Sequence, residues 1–332
     1  MEKKIEVSVV MPTYNHKKYI CQAIDSVLSQ KTDFDYEILV GDDASTDGTK
    51  NLLVSKYKDN DKIRLFLRKQ NVGGTKNGYT LFMYAKGIYI CTCECDDYWT
   101  DENYLQRMVD WMRAHNGYSG VAARRMMISE RTGHKSVKKA LKECNCEISI
   151  TDFMHCEQTF ELCACLFINY FHDGKSDYRY YKMSRNAADL AICIDILHHG
   201  NVYQLENIIG VYRMDRIKGA TNYNSITSNH DKFKDYMRML KYLEKFCYPE
   251  LDYSFLQARV ANIFFNAVGK KDKLKGIMFV IGKISFKAFI RHLTMKSCAK
   301  WQNFLRKKNT YANAGISTRF LTVSPAAMIS LP

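Results

Sequence analysis

The chain has 332 residues, 46% of them hydrophobic, which is enough for one large α/β domain and an accessory region. The formal net charge is +14, and residues 270–308 hold 12 Lys and Arg against one acid, so this segment alone carries +11. No run of 18 apolar residues occurs, which excludes a membrane-spanning helix. Twelve cysteines without a recognisable leader favour a reduced, cytosolic chain over a disulfide scaffold.

Strands and helices alternate along the first hundred residues. Short β-prone apolar runs predict four strands, and apolar residues at helical spacing predict a helix after each of the first three. Short connections between them indicate a mostly parallel sheet with right-handed crossovers. The predicted strands are 7–11, 36–40, 63–67 and 88–91, and the predicted helices are 19–28, 52–57 and 73–83.

The alternation changes after residue 100. The pattern predicts a helix over 105–112, further strands at 121–123 and 160–168, and a largely helical region over 230–308. We expect one α/β domain over residues 1–225, a basic helical region over 226–310, and a disordered tail over 311–332.

An acidic cluster follows the fourth predicted strand. Glu94, Asp96 and Asp97 come directly after the apolar stretch 87–91. Carboxylates packed this closely repel each other unless a cation neutralises them, and oxygen ligands suit Mg²⁺ or Mn²⁺. The carboxyl ends of parallel strands are where such sheets bind ligands. The cluster therefore predicts a metal site that handles a phosphorylated substrate, and we interpret the interleaved Cys91, Cys93 and Cys95 as strand packing.

Two other strand ends carry polar residues that should meet this cluster at the same edge of the sheet. The first predicted strand ends in Pro12-Thr-Tyr-Asn15, and the second ends in Asp42-Asp43. Asp43 is placed to accept a hydrogen bond from a nucleobase N–H or a ribose hydroxyl. The alternative for residues 42–47 is a solvated turn with helix-capping side chains.

These motifs resemble glycosyltransferase family 2 in order and spacing, strongly over residues 5–115 and more weakly to about residue 222. The matching segments are Pro-Thr-Tyr-Asn at 12–15, Asp-Asp-Ala-Ser-Thr-Asp-Gly-Thr at 42–49, Asn-Val-Gly at 71–73 and Glu-Cys-Asp-Asp-Tyr-Trp at 94–99. The resemblance implies a GT-A fold, a Rossmann-like sheet flanked by helices, with a nucleotide-binding half over about 1–100 and an acceptor half over about 101–225. It implies an inverting transfer of sugar from a nucleotide-diphosphate sugar to an acceptor hydroxyl in polysaccharide or surface-glycan synthesis.

The resemblance also implies roles for individual residues. Pro12, Thr13 and Tyr14 line the nucleotide pocket, and Asp43 contacts the base. Asp96 is the ligand of Mn²⁺ or Mg²⁺ in the family's Asp-x-Asp motif, whose first position is Glu94 here. Asp97 is either a second ligand or a residue that orients the donor sugar.

The base and a diphosphate contact are expected further along the chain. Inversion needs a carboxylate that deprotonates the acceptor, and Asp189, at the start of a helix, fits that place. The alternative for Asp189 is an acid favoured by the helix dipole, and Asp195, about 1.7 turns on, lies on a different face. Arg213 resembles a family residue near the donor diphosphate, with a structural ion pair as the alternative. The family's His two residues later is Asp215 here.

The basic segment 270–308 suggests a membrane partner. Lys283, Lys287 and Arg291 fall on one helix face beside apolar residues, as in helices that lie in a membrane interface. The alternative is an ordinary helix with a solvated basic face. Interfacial docking would suit an enzyme that extends a glycan or lipid-linked glycan at the cytoplasmic leaflet.

Two other classes of function fit parts of the sequence less well. A metal-dependent nucleotidyltransferase shares the sheet and the carboxylates, but residues 12–18 lack the Gly-rich loop that holds a triphosphate. A basic nucleic-acid-binding module leaves Asp43, Asp96 and Asp97 unexplained, because acids would repel phosphate. We expect no nucleic-acid partner. UDP-sugars are the commonest donors of the family and are the default expectation.

Overall fold

The structure is a computed structural model, and it describes residues 4–137, 144–155, 159–171, 184, 189–214, 228–267 and 284–291. The predicted tail 311–332, Asp215 and most of the basic segment 270–308 lie outside these residues.

One sheet of ten strands forms the body of the described chain. Its strands are β1 (Val7–Thr13), β2 (Tyr36–Asp42), β3 (Ile63–Leu67), β4 (Tyr89–Thr92), β5 (Tyr98–Trp99), β6 (Tyr118–Ile128), β7 (Lys135–Val137), β8 (Cys146–Ile148), β9 (Cys165–Ile168) and β10 (Asn201–Arg213). The helices are α1 (Ile20–Leu28), α2 (Thr49–Tyr57), α3 (Gly74–Tyr84), α4 (Tyr104–Ala114), α5 (Ile150–Met154), α6 (Asp189–His199), α7 (Asn229–Tyr242) and α8 (Ser254–Ala267). A 3₁₀ turn (Leu162–Ala164) precedes β9, and a π-helical turn (Leu243–Cys247) follows α7.

The strand order is β3-β2-β1-β4-β9-β6-β10-β5, with β7 beside β6 and β8 beside β10. Strands β3, β2, β1 and β4 are mutually parallel, which confirms the predicted first half of the sheet. Because these strands run in the same direction, their carboxyl ends meet at one edge of the sheet. That edge carries the predicted site.

Both faces of the sheet are buried, and alternate residues of each central strand serve different cores. On β1, Val10 packs in the core that includes α3, α6, α7 and α8, whereas Val9 and Met11 pack in the core that includes α1 and α4. Cys91, Cys93 and Cys95 are buried in the second core as free thiols. The cysteines near the acidic cluster therefore act as packing residues, as predicted.

The second half of the sheet differs from the sequence prediction in two places. The predicted strand 160–168 begins as the 3₁₀ turn and becomes extended only over β9, which runs antiparallel to its neighbours β4 and β6. Strand β10 was not predicted, because exposed residues 206–208 interrupt its apolar pattern. Register shifts beside β6 at the same place explain the interruption, since a bulge turns side chains away from strict alternation.

The C-terminal part is helical where it is described, as predicted. Helices α7 and α8 pack against each other and against the first core, and residues 286–291 form a further helical turn and a half. Within the described ranges, none of the helices has the length and apolarity needed to cross a bilayer.

Candidate functional site

Asp43 links the ends of β1 and β2 to the loop before α3. The Asp43 N–H donates to the carbonyl of Thr13 at 2.9 Å, and the two Asp43 carboxylate oxygens accept the backbone N–H groups of Val72 and Gly73 at 2.8 Å each. Gly73 has φ +92°, a conformation that a side chain would strain. Asp43 thus fixes the loop before α3.

The predicted nucleotide-pocket residues lie beside Asp43. Thr13 is buried, and its hydroxyl lies 3.2 Å from His16 Nδ1. Pro12 and Tyr14 are half-buried at the same edge of the sheet. The structure therefore brings Pro12, Thr13, Tyr14 and Asp43 into one wall, as an adjoining nucleotide would require.

Asn15 joins this wall to the loop that follows β2. Its N–H donates to Ser45 Oγ at 2.8 Å, and its Oδ1 accepts the N–H of Thr46 at 2.8 Å. Asn15 has φ +59°, which asparagine tolerates better than most residues. Residues 42–47 therefore form a turn, as the alternative interpretation expected. The same residues also shape the wall, which that interpretation did not include.

The acidic cluster lies at the end of β4, next to that wall. Glu94, Asp96 and Asp97 each offer a carboxylate oxygen, and these three atoms lie within 4.8 Å of one another. Glu94 is exposed, Asp96 is half-buried and Asp97 is buried. An all-oxygen donor set this close fits a hard divalent cation such as Mg²⁺ or Mn²⁺.

Desolvation and crowding of negative charge raise the pKa of Glu94. Surrounding protein atoms raise the pKa of Glu94 by desolvation, and the charges of Asp97 and Asp96 raise it further, while Arg125 opposes them. The cluster is short of positive charge, which a bound cation would supply.

Asp97 anchors the turn that carries the cluster. One Asp97 oxygen accepts Arg125 Nη1 at 2.7 Å, and the other accepts the backbone N–H of Arg213 at 2.9 Å. Burial raises the pKa of Asp97, and the Arg125 guanidinium opposes that rise. Because both oxygens take protein donors, Asp96 and Glu94 are the members of the cluster best placed to hold a cation.

We expect Asp97→Ala to lower the free energy of unfolding by about 3–5 kcal/mol, because removing one partner of a buried ion pair leaves the other charge uncompensated. Urea unfolding of the purified chain measures this. The control is Glu102→Ala, which breaks an exposed pair with Lys31 and should cost at most about 1 kcal/mol. A loss for Asp97→Ala as small as that of the control would contradict the anchoring role.

Arg213 is placed at the cluster, but its guanidinium contacts protein groups. Nε donates to Glu130 at 2.8 Å, Nη1 donates to the backbone carbonyl of Asp96, and Nη2 donates to Gln22 at 2.5 Å. The structure thus favours the structural alternative for Arg213 over a contact with the donor diphosphate.

Asp189 is distant in sequence from the acidic cluster but is near enough in the fold for its charge to act on Glu94. It is the first residue of α6 and is exposed, and its charge contributes to the raised pKa of Glu94. Asp195 on the same helix is buried and accepts a hydrogen bond from the Tyr248 hydroxyl. The two acids therefore have different surroundings, as their spacing predicted.

Several residues that surround the acidic cluster were not predicted from the sequence, among them Arg125, Glu130 and Glu161. Arg125 Nε donates to Glu161 at 3.2 Å, and the guanidinium lies 4.9 Å from the ring centre of Tyr212. Burial raises the pKa of Tyr212 to about 12. A signal existed for Arg125 alone, since an arginine in the apolar run 121–127 must be paired if buried.

The adjacent aromatic pair has divided roles. Trp99 is buried and packs edge-on against Tyr104, with ring centres 4.7 Å apart. Tyr98 is half-buried and lies over the Arg213 guanidinium. Trp99 is therefore a packing residue.

Comparison with known proteins agrees with this geometry. Residues 8–172, about half of the chain, match the model of the family described as glycosyl transferase family 2. The chain belongs to glycosyltransferase family 2. The matched range includes the nucleotide wall and the acidic cluster and ends before Asp189 and Arg213.

Relatives of this family 2 chain differ in how far they align. The first curated relatives are 36% identical over 112 residues, and the aligned part spans about a third of their length. A longer alignment, 26% identical over 243 residues, covers 72% of the chain and 74% of the GalNAc(5)-diNAcBac-PP-undecaprenol beta-1,3-glucosyltransferase of Campylobacter jejuni.

Solved structures identify the fold of the family 2 chain as GT-A. TarS (residues 1–349) of S. aureus in complex with UDP-GlcNAc superposes with a TM-score of 0.63 at 16% identity, covering 86% of this chain and 84% of that one. The mannosyltransferase PcManGT of Pyrobaculum calidifontis, in complex with GDP-Man and Mn²⁺, gives a TM-score of 0.52 at 14% identity, covering 94% and 85%.

Proposed function

We propose that this protein is an inverting glycosyltransferase that moves a sugar from a nucleoside-diphosphate sugar to an acceptor hydroxyl in glycan biosynthesis. The observation that carries the proposal is that the wall around Asp43 and the carboxylates Glu94 and Asp96 lie at the same edge of the sheet. Asp189 at the start of α6 is near enough for its charge to raise the pKa of Glu94. Membership of family 2 supports the same activity.

Glu94 and Asp96 are the residues that would hold Mn²⁺ or Mg²⁺, whose chemistry when bound is to neutralise the charge of the diphosphate. Asp97 keeps their turn in place. A neighbour of the same fold that was solved with GDP-Man and Mn²⁺ supports a metal of this class.

Asp189 is proposed as the base. Inversion is a single displacement, in which the acceptor oxygen forms a bond to the anomeric carbon as the bond to the diphosphate breaks. The acceptor proton must pass to a carboxylate within hydrogen-bond reach. Asp189 is exposed at the start of α6, and its charge raises the pKa of Glu94.

The donor is proposed to lie along Pro12, Thr13 and Tyr14, with its base at Asp43. The structural neighbours were solved with UDP-GlcNAc and with GDP-Man, which supports a nucleotide sugar without selecting the base. UDP-sugars remain the first choice for a test. Family membership also favours sugar transfer over the nucleotidyltransferase and nucleic-acid-binding alternatives.

A screen of donor hydrolysis tests the proposal. Nucleotide sugars with uridine and guanosine bases are incubated with the protein and Mn²⁺, and the released nucleoside diphosphate is measured. We expect release from one donor and none in EDTA. Release of pyrophosphate from a nucleoside triphosphate and a sugar phosphate, with no donor hydrolysis, would support the nucleotidyltransferase instead.

We further propose that a lipid-linked glycan is the acceptor and that the protein docks peripherally on the cytoplasmic face of a membrane, where anionic lipids concentrate. The segment 270–308 carries +11, and Phe286 and Ile290 within it are 79% and 44% exposed. Lys287 and Arg291 contact Asp252 at 3.0 and 3.2 Å, so this turn is held on the protein with its two apolar side chains outward.

We expect the double variant Phe286→Ser, Ile290→Ser to lose most of the binding to vesicles that contain anionic lipid, measured by co-sedimentation. Removing two exposed apolar side chains deletes insertion but leaves Ile284 and Ala288, which are buried in the core. The control is Met83→Ser, which removes an exposed apolar side chain from α3. Equal binding by the double variant and the wild type would contradict docking through this segment.

A further inference from the structure

The guanidinium of Arg213 is bound by protein groups on each of its three nitrogens. Arg213 is the last residue of β10 and is 8% exposed. It pairs with Ile128 of β6 and lies just after the two residues that pair with β5. Its three guanidinium nitrogens donate to Glu130, to the Asp96 carbonyl and to Gln22. These partners come from the turn after β6, the acidic cluster and α1.

Two aromatic rings also contact the same guanidinium. Its central carbon lies 4.6 Å from the ring centre of Tyr19 and 4.7 Å from that of Tyr98. Cation–π attraction is stronger when the cation is desolvated, as the buried Arg213 guanidinium is. A diphosphate oxygen that approached Arg213 would have to displace one of these partners.

The backbone of Arg213 contacts the acidic cluster as well. Its N–H donates to the Asp97 carboxylate, while its side chain binds the carbonyl of the preceding residue, Asp96. One arginine therefore restrains two successive residues of the turn. Arg213 therefore holds the backbone from which the Asp96 carboxylate projects.

We propose that Arg213 is a positioning residue that holds the Asp96–Asp97 turn in the geometry that a divalent cation requires, and that it is not a ligand of the donor diphosphate. The inference rests on the proposed function, because it assigns Asp96 to the cation. Groups that orient metal ligands change metal affinity by about 10- to 100-fold when they are altered. Glu130 is the partner that neutralises Arg213, with a charge-assisted hydrogen bond.

Binding of Mn²⁺ alone tests the inference without any turnover. The free Mn²⁺ signal in electron paramagnetic resonance is titrated against the full chain, for wild type, Arg213→Lys and Glu130→Gln. We expect about 10-fold to 100-fold weaker Mn²⁺ binding in Arg213→Lys, because a lysine cannot reproduce three directed nitrogens. Glu130→Gln should weaken Mn²⁺ binding in the same direction without altering the turn itself.

Lys18→Ala is the matched control. Lys18 is exposed and contacts the outer side of Glu130 at 3.4 Å, so its loss should leave Mn²⁺ affinity unchanged. Thermal unfolding of each variant, without metal, separates a displaced turn from a misfolded chain. If Arg213→Lys does not fold, Glu130→Gln alone decides the question.

A second measurement distinguishes the two roles of Arg213. UDP and GDP are each compared with their monophosphates in EDTA. A diphosphate ligand predicts that Arg213→Lys weakens the diphosphate but not the monophosphate, whereas a positioning residue predicts no change in EDTA. Mn²⁺ affinity within twofold of wild type in both variants would overturn the inference. Absence of Mn²⁺ binding in the wild type would instead refute the proposed metal site, and the inference with it.

Discussion

Asp96→Ala should reduce Mn²⁺-dependent turnover of the preferred nucleotide sugar by about 10³-fold or more. A bound cation stabilises developing diphosphate charge by several kcal/mol, and each 1.4 kcal/mol or so is worth about tenfold in rate. Asp96 is the half-buried carboxylate of a cluster whose oxygens lie within 4.8 Å of one another. Its loss leaves Glu94 to hold the cation with an anchored Asp97.

Initial rates of nucleoside-diphosphate release measure the effect, with Mn²⁺ titrated to saturation in each variant. The Asp96 carbonyl still accepts Arg213 after the substitution, so the turn should keep its place and the variant should unfold at nearly the wild-type temperature. Glu102→Ala, which removes an exposed carboxylate outside the cluster, is the matched control. Full turnover in Asp96→Ala would show that the metal assignment is wrong.

The first half of the fold was predictable because its physical signals are local. Apolar runs in β1 and β2 are nearly continuous, since both faces of these strands are buried, and the apolar residues of α1 recur at helical spacing. The second half was not, because β10 pairs with β5, β6 and β8, which lie far away in sequence. Bulges beside β6 also removed the alternation that would have marked β10 as a strand.

The site was predictable to the same extent. Glu94, Asp96, Asp97 and Asp43 follow strands directly, so topology alone brought them to one edge. The residues that support them could not be found this way, because Arg125, Glu130 and Glu161 are defined by pairing across the sheet. A sequence pattern shows which residues end a strand, but not which charges compensate them.

Compensation of negative charge by two arginines explains how five acids lie close together. They are Glu94, Asp96, Asp97, Glu130 and Glu161. Arg125 pairs with Asp97 and Glu161, and Arg213 pairs with Glu130 and contacts the turn itself, so both buried positive charges already have carboxylate partners other than Glu94. Desolvation and the neighbouring carboxylates raise the pKa of Glu94, which marks it as a group that the protein alone does not neutralise. Such an excess of negative charge around Glu94 is what a cation-dependent site requires.

Asp189→Asn should retain donor binding and reduce transfer to the acceptor by about 10²- to 10⁴-fold, the usual contribution of a positioned base. The substitution keeps the size of the side chain and its place in the first turn of α6, but removes the group that takes the acceptor proton. Donor affinity is measured by calorimetry with Mn²⁺, and transfer is measured with an acceptor glycan. Loss of donor binding would argue that Asp189 belongs to the donor site instead.

Asp195→Asn separates a chemical role from a structural one on the same helix. Asp195 is 1% exposed and accepts the Tyr248 hydroxyl, so its amide variant should lower stability and leave the transfer rate per folded molecule nearly unchanged. Asp189 is exposed and should show the opposite pattern. If Asp189 were only an acid favoured by the helix dipole, Asp189→Asn would lower the free energy of unfolding by less than about 1 kcal/mol. The rate of transfer would then be unchanged. The ratio of the two effects in the two variants therefore decides whether α6 supplies the base.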